Sequence, residues 1–291
     1  MASSRLLSVH LILIAGQICF ASLPVVGKLA VGHVPPAGIV VVRMAGGAVL
    51  FTLIAWQRGT LTIRRRDLPF IGLCALLGTV INQEMFIHGL ARSTATNAVV
   101  LGSTIPVFTA ITAIVLGREP ARARRIAGMA IAFGGVALLV GAERLSTSSE
   151  HLVGSAMVLI NAVSYGVYLV IVRPLAERYD PFALLAVMFV IGTPLVAPLG
   201  VHALAEAPSL VADDYAFLAF LIAIPTIAAY GLVQTALKRA DASLVAVYIY
   251  LQPVVAAIGA AFVLDEVIEV RTVICGAMVL FGVWLAARAR T

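Results

Sequence analysis

The chain has 291 residues, of which 62% are hydrophobic and only 12% are charged, with a net charge of +6 and a mean hydropathy of +1.06. Soluble domains are roughly half apolar and about one quarter charged, so this composition excludes an ordinary soluble domain. The basic residues lie in short segments between apolar runs, which argues against a nucleic-acid partner and favours topology signals.

Ten apolar runs follow one another along the chain, separated by short polar segments. Most of them contain about the 20 residues that an α-helix needs to cross a hydrocarbon core of ~30 Å. We therefore expect an all-α membrane protein with about ten transmembrane helices in the lipid bilayer. The predicted spans are 9–31, 37–56, 68–90, 96–116, 126–141, 152–172, 182–203, 216–237, 242–264 and 272–287.

The first run resembles a signal peptide only in part. Arg5 precedes the run, as in a signal sequence, but the run continues to Val31 without a small-residue cleavage site. We therefore expect this run to remain in the protein as the first span.

Basic residues are distributed unevenly between the segments that join the runs. If the N-terminus lies inside and the spans alternate, the inner segments carry fifteen lysines and arginines, whereas the outer loops carry only Arg92, Arg144 and Arg271. The inner loops of membrane proteins are enriched in basic residues. The bias therefore predicts ten spans with both the N- and the C-terminus in the cytoplasm.

The two halves of the chain resemble each other. When residues 90–119 are shifted by 147 positions, eight of the thirty residues are identical, and the matches include a proline and the final glutamate. With one extra residue in the second copy, three further matches follow: Gly128, Phe133 and Gly134 against Gly276, Phe281 and Gly282. The chain therefore divides into a first repeat, 1–145, and a second repeat, 146–291.

Each predicted repeat contains five spans, which is an odd number. The second repeat must therefore enter the membrane with the opposite orientation, so that the fold consists of two inverted five-helix repeats. Inverted repeats create a pseudo-two-fold axis in the membrane plane and place the solute site near the bilayer midplane. An exchange of conformation between the two halves then gives alternating access to that site.

Two corresponding segments carry a recognisable pattern. Residues 89–119 read GLARSTATNAVVLGSTIPVFTAITAIVLGRE, and residues 236–266 read ALKRADASLVAVYIYLQPVVAAIGAAFVLDE. Each contains a short hairpin, a mid-span proline and a glutamate at the span's end, and a glycine-bearing helix follows. The pattern resembles the EamA family of the drug/metabolite transporter superfamily, and it covers nearly the whole chain as two copies. The resemblance implies a ten-helix transporter, typically an exporter of amino acids or other small metabolites in a bacterial inner membrane.

Four ionisable side chains fall within predicted spans: Lys28, Arg43, Glu84 and His88. Charges in the hydrocarbon are costly, so each of these residues is a candidate functional residue. Arg43 and Glu84 are each roughly 9 Å from the outer ends of their helices, at 1.5 Å per residue. A Glu84–Arg43 or Glu84–Lys28 ion pair is therefore geometrically plausible.

These residues have both functional and structural interpretations. Glu84 could bind an ammonium group or exchange a proton, and Lys28 or Arg43 could bind a carboxylate. The alternatives are a structural ion pair and a lysine that extends its ammonium group to the interface. His88 lies one turn from Glu84 and either modulates its proton affinity or belongs to the interface.

Polar side chains also recur at helical spacing within four spans. Because a lipid-facing amide leaves its donors unsatisfied, these faces are expected to point into the helix bundle. They either line a wet cavity or form hydrogen bonds between helices, and their origin in several spans favours a cavity. The candidate cavity residues, besides Lys28, Arg43 and Glu84, are Gln17, Gln83, Asn161, Tyr165, Tyr168, Tyr230, Gln234, Tyr248 and Gln252, and Pro24 shares the face of Gln17.

Prolines and glutamates occupy equivalent places in the two repeats. Pro106 and Pro253 each lie in the middle of a span, where the loss of a backbone donor predicts a kink. The paired kinks are either hinges or static features of the packing. Glu119 and Glu266 are expected to lie at the N-termini of the helices that follow them, because a carboxylate is favourable at the positive end of the helix dipole.

The remaining motifs narrow the functional classes. The chain contains no nucleotide-binding loop, no HExxH and no GxSxG, and Cys19, Cys74 and Cys275 lack metal-binding spacing. We therefore expect no catalytic residues, no metal and no cofactor. The leading hypothesis is a secondary transporter of a small-molecule substrate, with protons as a candidate coupling ion. A passive channel or facilitator and an intramembrane enzyme are the alternatives.

Overall fold

The computed structural model describes residues 2–93, 95–140, 149–207, 209–255 and 270–288. Within these residues the chain is helical, and no strand occurs there. The helices are α1 (Ser8–Ala30), α2 (Pro36–Gln57), α3 (Arg65–Arg92), α4 (Ala98–Val115), α5 (Ala123–Val140), α6 (Ser149–Ile171), α7 (Pro181–Glu206), α8 (Ala212–Leu237), α9 (Ala242–Val255) and α10 (Val270–Ala287).

Seven of these helices, α1 to α4 and α6 to α8, are long and apolar enough to cross a membrane, and α9 and part of α10 form shorter apolar helices. The observed bounds agree with the predicted spans to within a few residues at most ends. The last part of the predicted ninth span and Glu266 lie outside the described residues. The all-helical membrane class is confirmed, whereas the number of ten crossings stays a prediction.

The outward surfaces of the helices are apolar. Large hydrophobic side chains such as Val49, Val115 and Leu199 are 65%, 76% and 68% exposed. Such surfaces would associate in water but are compatible with lipid. The exposed apolar surface therefore supports the membrane environment that the composition predicts.

The packing between helices follows the division into two repeats. Helix α2 packs on α7, α5 packs on α10 and α4 packs on α9. In the same way α3 packs on α6, and its counterpart α8 packs on α1. This pattern of contacts is unchanged when the first five helices are exchanged with the last five, as expected for a two-repeat architecture.

Helices α3 and α8 each contain a turn of π-helix, at Leu76–Ile81 and Ala223–Ala228. The two turns start 147 positions apart, which is the offset that relates the sequence repeats. Thr79 and Thr226 are fully buried in these turns, and their hydroxyl groups donate to backbone carbonyl groups at 2.6 and 2.8 Å. Such bulges often occur at functional sites. The sequence analysis did not predict them.

Glycines allow two pairs of equivalent helices to approach closely. A Cβ atom on Gly47 of α2 would lie 2.3 Å from the ring of Phe189 in α7. A Cβ atom on Gly128 of α5 would lie 2.6 Å from the carbonyl oxygen of Gly282 in α10, and the reverse contact is also 2.6 Å. Helices in lipid have no hydrophobic driving force for association. Small residues at these crossings let the two backbones approach closely, so that van der Waals contacts stabilise the pair.

Helices α4 and α9 are interrupted just before their prolines. In α4, a turn at residues 103–104 precedes the helix Ile105–Val115, in which Pro106 is near the first position. Proline is tolerated there because the first amide groups of a helix have no intrahelical partner. In α9, a 3-10 turn at Tyr248–Tyr250 precedes Pro253. Both irregularities therefore lie at corresponding places, as the paired prolines predict.

Candidate functional site

A cavity of about 760 Å³, including its opening to solvent, lies between the two halves of the bundle. Side chains from α1, α2, α3, α4, α6, α8 and α9 line it. The predicted site residues that line this cavity are Gln17, Arg43, Gln83, Asn161, Tyr165, Tyr230 and Gln252.

Most of the remaining cavity wall is apolar. Aromatic and aliphatic side chains surround the polar groups, so that the site combines a few hydrogen-bonding groups with a large hydrophobic surface. Such a wall suits a solute that carries a polar group on an apolar body. The apolar wall includes Phe20, Leu23, Pro24, Phe86, Val99, Ile105, Leu169, Val233, Val245 and Ile249.

Arg43 is the fully buried cation of the cavity. Its Nε atom donates a hydrogen bond to Thr226 Oγ1 at 3.0 Å, which connects α2 to the π-helical turn of α8. The two terminal guanidinium nitrogens have no hydrogen-bond partner in the described part of the chain. Thr226 was not predicted, because a lone threonine in an apolar run carries no signal of function.

Asn82 is a second cavity residue that the sequence analysis missed. Its side-chain oxygen accepts a hydrogen bond from the hydroxyl of Tyr230 at 2.7 Å. Its backbone carbonyl accepts from the side-chain amide of Asn161 at 2.8 Å. Asn82 therefore joins α3, α6 and α8, directly after the π-helical turn of α3. Its position beside two other polar residues in an apolar run was a signal that could have found it.

Two glutamines from different repeats meet in the cavity. The Nε2 atom of Gln252 donates to Oε1 of Gln17 at 2.7 Å, which connects α9 to α1. On α3, Gln83 donates to the sulfur of Met44 at 3.3 Å, and its Oε1 atom is buried without a partner in the described residues. One acceptor in the cavity thus remains available to a solute.

Glu84 does not belong to the cavity wall. Its carboxylate lies 3.1 Å from Nε2 of His88, one turn further along α3. The predicted ion pairs of Glu84 with Arg43 and with Lys28 are therefore wrong. On α3 the cavity is lined by Asn82, Gln83 and Phe86, and at about 100° per residue Glu84 points away from the middle of that face.

Lys28 lies at the end of α3 rather than in the cavity. Its ammonium group donates to the backbone carbonyl groups of Leu90 and Ser93 at 2.8 and 2.7 Å. The last carbonyl groups of a helix lack intrahelical partners, and a cation is favourable at this end of the helix dipole. Lys28 thus connects α1 to the end of α3.

Three predicted cavity residues form bonds between helices outside the cavity lining. The hydroxyl of Tyr168 donates to Oε1 of Gln234 at 2.9 Å, which connects α6 to α8. The hydroxyl of Tyr248 lies 2.5 Å from Nδ1 of His10, which connects α9 to α1. For these residues the structure favours the alternative of hydrogen bonds between helices.

A charged cluster, termed the Glu119 cluster, joins the two repeats at one end of the bundle. It consists of Glu119, Arg125, Arg173 and Asp241. Glu119 pairs with Arg125, and its other carboxylate oxygen accepts from the backbone amide of Ser243 at 3.2 Å. Asp241 lies 3.0 Å from a guanidinium nitrogen of Arg173 and 3.8 Å from one of Arg125.

The position of Glu119 corrects one prediction. Glu119 was expected at the N-terminus of the helix that follows it, but it binds the first turn of α9 in the other repeat. The first amide groups of α9 lack intrahelical partners and attract the carboxylate. Arg125, in the first turn of α5, neutralises its charge.

Comparisons with known proteins agree with this architecture. The model of the EamA-like transporter family matches residues 7–141 and 152–288, that is, once in each half of the chain. A crystal structure of a protein with 21% sequence identity superposes with a TM-score of 0.79. The superposition covers 97% of this chain and 98% of the other, so that the two proteins share a fold.

Two relatives are similar over most of their length. An uncharacterized transporter of Archaeoglobus fulgidus is 28% identical over 279 residues, which are 95% of this chain and 96% of that protein. A probable terminal-alkyne amino-acid exporter of Streptantibioticus cattleyicolor is 30% identical over 258 residues. These residues cover 87% of this chain and 84% of the exporter.

Proposed function

Because the chain belongs to the EamA-like transporter family, we propose that it is a secondary transporter that exports small metabolites such as amino acids by alternating access. The observation that carries the proposal is the cavity between the two halves, with polar side chains from both repeats on its wall. Export is supported by the relative that is named a probable amino-acid exporter.

The proposed topology has ten crossings in two inverted repeats, 1–145 and 146–291, in the inner membrane with both termini in the cytoplasm. The distribution of basic residues supports it, as does the 147-residue offset between the two π-helical turns. With this orientation, the Glu119 cluster lies at the cytoplasmic end of the bundle, and Lys28 lies at the opposite end. A fluorescent protein that folds only in the cytoplasm, fused to the C-terminus, tests the orientation.

The proposed mechanism alternates access between these two ends. The Glu119 cluster holds the end of α4 against the start of α9 and closes one end of the cavity. Separation of these charges opens that end. The interruptions before Pro106 and Pro253 are the proposed hinges. A segment that already lacks regular helical hydrogen bonds breaks fewer of them when it bends than an intact helix does.

Protons are the proposed coupling ion, and Glu84 is the proposed residue that carries them. One carboxylate oxygen of Glu84 is buried without a hydrogen-bond partner in the described residues, and the other contacts His88. Glu84 is also adjacent to the cavity residue Gln83.

Counterflow in proteoliposomes tests the transport proposal. Vesicles are loaded with an unlabelled solute from a panel of amino acids and small metabolites, and the labelled solute is added outside. A carrier accumulates label transiently above equilibrium, because inward label exchanges with outward unlabelled solute. Label that only equilibrates, without an overshoot, would identify a channel and contradict the proposal.

The role of Glu84 is tested in the same vesicles with an imposed pH gradient. The Glu84→Gln variant is expected to lose gradient-driven accumulation and to keep counterflow. Glu206→Gln is the matched control, since Glu206 also pairs with a histidine four residues away but is 69% exposed at the end of α7. If Glu84→Gln accumulates solute as well as the wild type does, the carboxylate is structural.

A further inference from the structure

We infer that Arg43 binds a carboxylate group of the transported solute, so that the cavity selects carboxylic acids, including zwitterions, and rejects simple cations. The inference rests on the proposed transport function and specifies its substrate class. Four observations carry it: the burial of Arg43, its two unpartnered nitrogens, its bond to Thr226 and the unpartnered acceptor of Gln83 in the same cavity.

The charge of Arg43 requires an anion. The side chain is fully buried, and arginine keeps its proton at any physiological pH. A buried cation without a counter-ion is strongly unfavourable, and more so in a membrane. Within the described part of the chain no carboxylate pairs with Arg43: Glu84 contacts His88, and Glu119 contacts Arg125. The complementary charge therefore comes from the solute.

The orientation of Arg43 suits a carboxylate. The hydroxyl of Thr226 donates to the backbone carbonyl of Leu221, so its oxygen is free to accept the hydrogen bond from Nε of Arg43. This bond occupies the inner nitrogen and leaves the two terminal nitrogens available as a fork. A guanidinium fork matches the two oxygens of a carboxylate, which gives a bidentate and charge-assisted pair.

Gln83 supplies an acceptor in the same cavity. Its amide nitrogen binds the sulfur of Met44, the residue that follows Arg43 in α2. Its oxygen is buried, lines the cavity and has no partner in the part of the chain that the structure describes. Gln83 is therefore an acceptor that the cavity offers to a donor group of the bound solute.

The second repeat has no equivalent of this cation. When Pro36 and Pro181, which begin α2 and α7, are aligned, Arg43 corresponds to Met188. Met188 is fully buried within the hydrophobic core. The charge of the site is thus confined to one side of the pseudo-symmetric cavity, which orients a solute with one charged and one apolar end.

Matched pairs of solutes test the inference. The probes are L-leucine against L-leucinamide and L-phenylalanine against L-phenylalaninamide, each as an inhibitor of counterflow. Because a hydrogen-bonded charge pair contributes about tenfold or more to affinity, each acid is expected to inhibit at least tenfold better than its amide. The Arg43→Gln variant should lose this preference, so that acid and amide inhibit alike, while Arg43→Lys should keep part of it.

Arg66→Gln is the matched control, because Arg66 is exposed and lies outside the cavity. Elution as a monodisperse peak in detergent shows that each variant is folded. An Arg43→Gln variant that still prefers the acids would overturn the inference, as would equal inhibition of the wild type by acids and amides. Stabilisation by chloride or phosphate alone would identify a structural anion instead. If no solute shows counterflow, the transport proposal itself fails.

Discussion

The hairpin between α3 and α4 and the hairpin between α8 and α9 are equivalent parts of the two repeats, yet they are packed differently. Val99 and Gly102 are partly exposed, whereas their counterparts 147 positions later, Ala246 and Ile249, are buried, although Ile249 lines the same cavity. Related segments in two different environments are expected of a carrier in one of its two access states. In the proposed mechanism, this difference corresponds to a cavity that is more tightly closed at the α8–α9 end.

The charged contacts also differ between these two ends, and the contacts between the two repeats are more extensive at the α8–α9 end. At the α8–α9 end, the Glu119 cluster places four charged side chains from both repeats in contact. At the α3–α4 end, the described contacts of Lys28 are with backbone carbonyl groups of α3, and Glu84 contacts His88 within the same helix. Breaking a buried ion pair leaves an uncompensated charge and costs about 3–5 kcal/mol, whereas a cation at a helix end contributes about 0.3–1 kcal/mol. In the proposed mechanism, the Glu119 cluster is therefore the stronger of the two closures.

The largest effect on access is expected from Glu119→Gln, which removes the nearer of the two carboxylates that contact Arg125. Single cysteines at Val99 and Ala246, in a protein whose native cysteines are replaced by alanine, report the access of a water-soluble maleimide. The cysteine at 99 should react much faster than that at 246. Because the variant weakens the closure by a few kcal/mol, it should speed labelling at 246 by about tenfold or more.

Glu177→Gln provides the control for this variant. Glu177 also pairs with an arginine, Arg173, at the same end of the bundle, but its side chain is 52% exposed. Exposed pairs contribute little, so labelling at 246 should stay near the wild-type rate. Equal rates at 99 and 246 in the unmodified background would contradict the assignment of closed and open ends.

A smaller effect, on stability and not on access, is expected from Gly128→Ala. The added Cβ atom would meet the backbone of α10 at 2.6 Å, and overpacking of this kind costs about 1–3 kcal/mol. Gly134→Ala is the matched control in the same helix, because nothing lies within 4 Å of its Cβ position. Thermal unfolding in detergent should separate the two variants, while the ratio of labelling at 99 and 246 stays constant. A changed ratio would mean that the α5–α10 contact takes part in gating.

Helix positions and inward faces could be predicted from the sequence for physical reasons. A span needs about 20 apolar residues whatever it packs against, so composition alone locates the helices. Polar amides avoid lipid, which is why Gln17 and Gln252 face inward and contact each other. Both properties depend on the solvent around a helix and not on the identity of its neighbour.

Specific partners could not be predicted in this way. The pairing of Glu84 with Arg43 was expected from equal depth, but depth does not determine the rotation of a helix about its axis. The acceptor for Arg43 is Thr226, 183 positions away, and it is placed by a π-helical turn that has no sequence signature. The contact of Glu119 with Ser243 likewise depends on how the two repeats pack.

The smallest effect is expected from Lys28→Met, which alters the more open end. The variant keeps the apolar stem of the side chain and removes the ammonium group that binds the carbonyl groups of Leu90 and Ser93. The loss of a favourable contact with the helix dipole, about 0.3–1 kcal/mol, should change labelling of a cysteine at 99 by a few-fold at most. A change as large as that of Glu119→Gln at 246 would mean that Lys28 is itself a gate. The two ends would then be closed by contacts of similar strength, and the difference in burial between the hairpins would need another cause.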